Sequence, residues 1–483
     1  MSIHGFRNVV LATILIVPAA WPANASSTNG RVGPQLVSQA DPLPAHGTPG
    51  ACGSEPAYQG WDHEPTLAVT ASGRFITAWT QDWADAISVA FSDKGRTWTE
   101  VVPMTSGCTG GLAGFNSAYD PWLAVGPPSS NPSLNQVVYL SSALRAFDGI
   151  TPPQYATVVN RSLDGGRTWS APVEVADRPL AVEYLDGSTV TADPSVAGVA
   201  YATWRRGDLS FAGRSQYVAK TTDGGVTWSD PVKLPAIQLP AAGNLVVLSD
   251  GSVVAITVEV PPQPQFATGS LTGPSTITVT RSTDGGATWS QPSVMAEADP
   301  NMMVGVRAAV GPDDAVHATW QRAGVNAEEP SFDLMLSSSH DGGMTWSAPR
   351  AAGPTIAGPP SFSAHGVVAA APSLAVSPHG TLGIRFYDHR RDDTRSSPPT
   401  TTDYWFRSSS DGGATWQEQH VAGPFDQTSA PSDDGSLDGP GFLGDNQGIA
   451  AVKGGIAVTY TLAAPLAATA PTDIFISQFP DPR

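Results

Sequence analysis

One six-residue segment recurs along the chain, and it restricts the fold more than any other feature of the sequence. It reads Asp93-Lys94-Gly95-Arg96-Thr97-Trp98 at first, then Asp-Gly-Gly-x-Thr-Trp from Asp164, Asp223, Asp284, Asp341 and Asp411. The intervals from Asp to Asp run from 57 to 71 residues. A segment returning at such a spacing marks one supersecondary module repeated along the chain. Its chemistry is that of a hairpin turn. The Asp accepts hydrogen bonds from nearby amides, the glycines take positive φ without steric cost, and the Trp opens the next strand and buries a large ring. In the last five copies a Ser or Thr stands two residues before the Asp. Short alternating runs precede the turns, as in Tyr155–Asn160 and Thr276–Arg281, and further short runs follow, as in Pro172–Val175 and Val232–Leu234. Each copy therefore joins the third and fourth strands of a four-stranded unit. Six identical acids at one structural position are scaffold rather than catalysts.

An inner pair of strands precedes each turn. Glu64-Pro65-Thr66-Leu67-Ala68-Val69 leads into Arg74–Trp79, Asp120-Pro121-Trp122-Leu123-Ala124-Val125 into Val137–Ser141, and Asp193-Pro194-Ser195-Val196 into Ala200–Trp204. Leu245–Leu248, Val306–Val310 and Pro372–Val376 open three more units, and Asp445-Asn446-Gln447-Gly448 opens a seventh that continues through Ile456–Leu462 and Ile474–Phe479. There the chain ends one strand short. Gln35–Gln39 fits the missing place as the outer strand of the last unit, which closes a ring and removes an open sheet edge. The expected fold is an all-β propeller of seven four-stranded antiparallel blades. It forms a single domain over residues 26–483, with 26–60 supplying the closing strand. A six-bladed ring with an irregular tail is the alternative.

The composition agrees. With 49 Gly and 44 Pro and only 14% charged residues, the chain suits a turn-rich β protein rather than a helical or disordered one. A formal charge of −18 argues against a nucleic-acid partner, which needs a basic footprint. At the start, Arg7 precedes the apolar run Val9–Ala20, and Ala23-Asn24-Ala25 offers small residues at the positions a signal peptidase reads. Residues 1–25 are expected to be a signal peptide cut after Ala25, which makes the protein secreted or periplasmic; a retained anchor is the alternative. No later apolar stretch reaches membrane-spanning length. The mature chain is expected to be a monomer.

The repeated segment resembles the Asp-box, or BNR repeat, of the sialidase-like propellers, and the resemblance extends over nearly the whole mature chain. The chain also looks like bacterial exo-α-sialidase-like proteins in Tyr119-Asp120-Pro121-Trp122, Tyr387-Asp388-His389-Arg390-Arg391 and Gly444-Asp445-Asn446-Gln447-Gly448. It departs from authentic sialidases at the first blade. Those open with Phe/Tyr-Arg-Ile-Pro, whose Arg begins a carboxylate-binding triad, whereas this chain has His63-Glu64-Pro65. The resemblance implies the fold strongly. It implies the activity weakly, because Asp-boxes also occur in propellers without catalysis.

Ligands of propellers bind at the rim opposite the Asp-boxes, where loops enter the inner strands and join the second and third strands. Candidate catalytic residues there are Tyr387, Asp388 and Asp120. Candidate substrate-binding residues are Arg205, Arg307, Arg390, Glu64 and Asp193, with Asp445, Asn446 and Gln447 on the same rim. Arginine forks bind carboxylates in a bidentate way, and a Tyr or carboxylate serves glycoside cleavage as nucleophile or acid. The expected function is a sialidase-like glycoside hydrolase acting on an extracellular glycan, with acidic glycans among the candidates. A non-catalytic propeller that binds glycan or protein is the alternative. No cofactor is required by the sequence, and no ligand spacing demands a metal, Ca²⁺ included.

Only Cys52 and Cys108 occur, both in Gly-rich segments just before inner strands one blade apart. In an oxidising compartment such a pair joins. The disulfide is expected to stabilise the fold by roughly 3–4 kcal/mol in the chain-entropy model. Thiol titration of the native secreted protein should find no free thiol; two titratable thiols would rule the bridge out.

Overall fold

The computed structural model describes residues 31–39, 60–82, 86–146, 154–176, 183–208, 213–261, 275–298, 305–323, 331–357, 372–392, 400–430, 441–467 and 470–482. These form seven antiparallel sheets. Blade 1 runs through His63–Val69, Phe75–Gln81, Ala86–Ser92 and Thr99–Val101, and blade 2 through Ser117–Val125, Val138–Arg145, Tyr155–Ser162 and Val173–Glu174. Blade 3 has Glu183–Ala192, Ala200–Asp208, Arg214–Thr221 and Val232–Lys233; blade 4 has Leu239–Val247, Val253–Val260, Ser275–Ser282 and Ser293–Ala298. Blade 5 has Arg307–Val310, Val316–Ala323, Ser331–Ser339 and Arg350–Ala351, with Ile356–Ala357 on the same third strand. Blade 6 has Ser373–Val376, Leu382–Asp388, Thr401–Ser409 and Gln417–Asp426. Blade 7 has Ile449–Val452, Gly455–Ala463, Thr472–Pro480 and, as its outer strand, Val32–Leu36 from the start of the chain. The described residues form a seven-bladed propeller of antiparallel sheets.

The closing strand lies three residues earlier than Gln35–Gln39. It pairs Val32 with Gln478, Gln35 with Ile476 and Leu36 with Phe475, and the Val37 amide continues the ladder to the Ile474 carbonyl at 2.8 Å. Alternation puts Val37 inward, where it joins Leu67, Phe75, Trp79, Ile474 and Ile476. This is one of seven apolar cores, each shared by two consecutive blades. Blade 7 thus packs on blade 1 as every other blade packs on its neighbour, and no sheet face is left open.

The Asp-boxes explain the regular spacing. In the second copy, Asp164 Oδ1 accepts from the Arg167 and Thr168 amides at 3.0 Å, and Oδ2 accepts from the Thr168 hydroxyl at 2.7 Å. Ser162, two residues earlier, donates to Asp164 Oδ1 at 2.8 Å and accepts from the Gly166 amide at 2.9 Å. The Trp169 indole donates to the Gly166 carbonyl at 3.1 Å. The second glycine of the box also touches the preceding blade. A Cβ on Gly166 would lie 3.2 Å from Ile76, and one on Gly225 3.3 Å from Tyr139. The motif is therefore a turn and a blade-to-blade spacer together, and only glycine suits both its positive φ and this approach.

One inner strand falls elsewhere than its sequence pattern suggests. Asp193-Pro194 does not open blade 3. The inner strand is Glu183–Ala192, and Asp193 caps the turn after it, its Oδ1 accepting from the Ser195 and Val196 amides at 2.8 and 2.9 Å. An Asp-Pro pair serves a turn as readily as a strand start. Asp193 therefore sits on the Asp-box rim, away from the candidate site.

The closing strand yields a stability prediction. Val37→Asp buries a charge at a site now 1% exposed and should cost at least ~2 kcal/mol. Leu36→Asp, at a position 37% exposed, should change stability by less than about 0.5 kcal/mol. Denaturant midpoints of the two variants make the comparison; equal midpoints would mean that the strand does not close the ring.

Candidate functional site

On the rim opposite the Asp-boxes, three inner strands carry matching irregularities. The ladder skips between His63 and Thr66 in blade 1, Tyr119 and Trp122 in blade 2, and Asp186 and Thr189 in blade 3. Glu64 and Asp120 stand in these bulges with φ of 56° and 51°, and in blade 3 Gly187 takes the place with φ of 60°. Bulges re-aim side chains beside functional sites. Here they turn an acid toward the channel mouth in each of three consecutive blades, with Asp186 next to Gly187.

The acids converge. Glu64 and Asp120 hydrogen-bond to each other through their carboxyls. Asp120 Oδ2 also accepts from the Gly187 amide at 3.3 Å, and Glu64 Oε1 accepts from the Asp445 amide at 3.1 Å. This last contact joins blade 1 to blade 7 and requires Gly444, where a Cβ would fall 2.5 Å from Glu64. Burial holds both carboxyls above the ordinary carboxylate range. The charge of Asp445 adds to this at Glu64, and the charges of Glu64 and Asp186 add to it at Asp120. Two carboxyls in hydrogen-bond contact, Glu64 buried and Asp120 partly buried, share a proton because both cannot readily ionise at once.

Two arginines meet them. Arg205, on the second strand of blade 3, pairs with Asp186 at 2.5 Å. Arg307 opens the inner strand of blade 5 and reaches across the channel, donating to Asn446 Oδ1 of blade 7 at 2.8 Å and lying 5.4 Å over the Trp122 ring of blade 2. Burial draws Arg307 down to about 10, so it stays cationic at neutral pH. Among the described residues it forms no ion pair within 4 Å. The mouth therefore offers a proton-holding carboxyl pair, a second pair of acids in Asp186 and Asp445, a guanidinium bonded to an amide oxygen, and an aromatic face. Among the described residues, no group of three or more His, Cys, Asp or Glu is placed to hold a metal ion.

The Tyr387–Arg391 segment is not part of this site. Tyr387 is 2% exposed in the core between blades 6 and 7. Its hydroxyl lies 2.8 Å from the Thr461 carbonyl and 3.1 Å from Gln447 Oε1, and accepts from the Thr461 amide at 3.0 Å. Burial pushes it far above the ordinary tyrosine value, the reverse of what a nucleophile needs. Asp388 faces the other way, toward blade 5. Its carboxyl accepts from Arg390 Nε at 2.6 Å and from the Trp405 indole at 3.0 Å, and burial pushes it up to about 6. Arg390 lies 4.0 Å over the Trp405 ring and donates to Glu418, which also accepts from Arg407 at 2.7 Å. Arg407 in turn donates to the Ala352 and Pro354 carbonyls of blade 5. Asp388 and Arg390 thus belong to a ladder that ties blade 6 to blade 5. Of the residues named from the sequence, Glu64, Asp120, Arg205 and Arg307 gather at the mouth, whereas Tyr387, Asp388, Arg390 and Asp193 do not. Trp122 and Asp186 were missed: Asp186 because the Asp193-Pro194 pattern shifted the blade-3 register by one hairpin arm. The pairing of Arg205 with Asp186 across that hairpin is the signal that would have found it. Cys108 lies on the short 3-10 turn Gly107–Thr109, and Cys52 lies outside the described residues.

Residues 263–434, from the middle of blade 4 to the end of blade 6, match the family described as BNR repeat-like domain. The match spans about a third of the chain. Three of its Asp-boxes, at Asp284, Asp341 and Asp411, fall within the match. No curated protein matches the sequence. Among solved structures, a protein of unknown function from Dyadobacter fermentans aligns with 14% identity and a TM-score of 0.46 over 93% of this chain and 98% of its own. An α-L-arabinofuranosidase of Fusarium graminearum, solved with an iminosugar inhibitor, aligns with 12% identity and a TM-score of 0.46 over 89% and 97%. The NanB sialidase of Streptococcus pneumoniae aligns with 11% identity and a TM-score of 0.41 over 88% of this chain and 69% of its own.

The raised carboxyls have a cost that can be measured. Glu64 and Asp120 hold protons in the fold at pH values where the unfolded chain has released them. Stability therefore falls as pH rises above about 4. Glu64→Gln removes that penalty and should stabilise the protein at pH 8 by on the order of 1–3 kcal/mol, with the gain fading toward pH 4. Melting curves of wild type and variant across pH 4–8 test this; a pH-independent difference would mean that Glu64 is ionised throughout.

Proposed function

We propose that this protein is a secreted glycoside hydrolase that cleaves an extracellular glycan bearing an acidic group, with the channel mouth as its active site. The observation that carries the reading is the proton-sharing Glu64–Asp120 pair beside Arg307, a partly buried cation that forms no ion pair among the described residues. Glycoside cleavage needs one carboxyl that keeps its proton near neutrality and one that does not. In this reading the Glu64–Asp120 pair protonates the departing glycosidic oxygen. Asp445, exposed at the lip, is the carboxylate that faces the developing positive charge at the anomeric carbon. Arg307, seconded by Arg205, holds an anionic substituent, and Trp122 lies against the apolar face of a sugar ring. An exo-α-sialidase-type activity is the finer form of this proposal. It differs from the sialidase pattern in using a carboxyl where a Tyr nucleophile is expected, since Tyr387 is enclosed in the core. A glycan-binding propeller without chemistry is the second reading, favoured by the way Arg205 is already occupied by Asp186.

The test is release of terminal sugar from a panel of sialosides, uronic-acid oligosaccharides and arabino-oligosaccharides. Wild type should turn over at least one acidic member, and Glu64→Gln should lower that rate about 10²–10⁴-fold while still binding the oligosaccharide. Binding by wild type without turnover would assign the propeller to the second reading. Neither binding nor turnover across the panel would overturn both. Mature protein starting at Ser26 in culture supernatant would support the secreted location; retention of residues 1–25 would count against it.

A further inference from the structure

Among the described residues, Arg385 is a fully buried cation with no acid bearing on it. It lies on the second strand of blade 6, is 0% exposed, and faces blade 7. One of its amino groups donates to Ser373 Oγ at 2.6 Å and to the Gln447 carbonyl at 2.9 Å. The remaining two nitrogens, Nε and Nη1, are buried with no hydrogen-bond partner among the described residues. Among the described residues, no carboxylate bears on its titration. The side chains that do are Tyr404, Tyr387 and, as a like charge, Arg307.

A second orphan lies on the same face. Tyr404, on the adjacent strand, is also 0% exposed, and its hydroxyl is buried without a partner among the described residues. The register places Tyr404 opposite Tyr387 and Phe406 opposite Arg385, so Tyr404 and Arg385 are diagonal neighbours on one side of the sheet. Tyr387 offers this face nothing more, its hydroxyl being taken up by Thr461 and Gln447. Around Arg385 there are thus three unmet groups: two that can only donate, one that donates readily, and a full positive charge. Buried polar groups are nearly always satisfied, and an uncompensated buried charge is strongly unfavourable. A water molecule could accept from two of these groups but leaves the charge unbalanced and brings two hydrogens of its own. A small anion answers both the hydrogen bonds and the charge.

We infer that a monovalent halide, chloride in physiological media, is bound between blades 6 and 7 by Arg385 Nε and Nη1 and the Tyr404 hydroxyl, as a fixed part of the fold distinct from the substrate mouth.

The test compares thermal stability in sodium chloride, sodium bromide and sodium methanesulfonate at constant ionic strength. A ligand bound only by the folded state raises the melting temperature with the logarithm of its concentration. For a chain of this length the rise should be roughly 1–2 °C per tenfold increase in halide above its dissociation constant. The halide effect should vanish in Arg385→Met and shrink in Tyr404→Phe. A bromide-soaked crystal should show anomalous signal beside Arg385. If Arg385→Met does not fold, the wild-type titration, Tyr404→Phe and the bromide signal still decide. Melting temperatures that do not distinguish halide from methanesulfonate, an equal halide effect in wild type and Arg385→Met, or bromide found at surface positions alone would each overturn the proposal.

Discussion

The pairing of Val32–Leu36 with Thr472–Pro480 is the contact on which the rest of the structure depends. A ring of sheets has no free edge only if its last blade is completed, and here that completion joins the two ends of the chain. The consequence reaches the candidate site. Glu64 belongs to the first blade and Asp445 to the last, and the hydrogen bond between them crosses the seam. Gly444 fits against Glu64 only with the seam shut. The same closure that removes an exposed edge therefore brings together acids that lie almost the whole chain apart.

Within the ring, two kinds of polar interaction do different work. The Asp-box carboxylates are exposed and amply hydrogen-bonded, and hydrogen bonds from Thr288 and Thr345 hold Asp284 and Asp341 down at about 2. They cost the fold little and set the spacing between blades. Glu64 and Asp120 at the mouth are buried or partly buried, crowded by neighbouring acids, and pushed up. Their conformation is also unfavourable, since Glu64 and Asp120 carry side chains at positive φ. Such a cluster persists because the surrounding blades over-determine it.

The propeller was legible because its signals are local and repeated. Asp164, Ser162 and Trp169 satisfy one another within a few residues, so the pattern of their identities reports their geometry directly. Glu64 and Asp120 were legible for a related reason: each precedes a Pro at the start of an apolar run. Asp193 copied that pattern at a turn and drew attention from Asp186, whose role depends on which strand Arg205 faces. The Tyr387–Arg391 segment was dense with chemistry but points into two blade interfaces, because successive residues of a strand face opposite sides. Tyr387 meets blade 7 and Asp388 meets blade 5.

By itself, the sequence determined the fold class, the number of blades, the position of the turns and the source of the closing strand, since each rests on alternation and turn chemistry within short stretches. Tertiary structure alone decided which of the polar residues share a space. Arg307, Trp122 and Asn446 come from three different blades, and their meeting depends on a channel that no single blade contains. The isolation of Arg385 was likewise invisible in the sequence, because whether a guanidinium finds an acid is settled by the face opposite it, and that face belongs to the next blade.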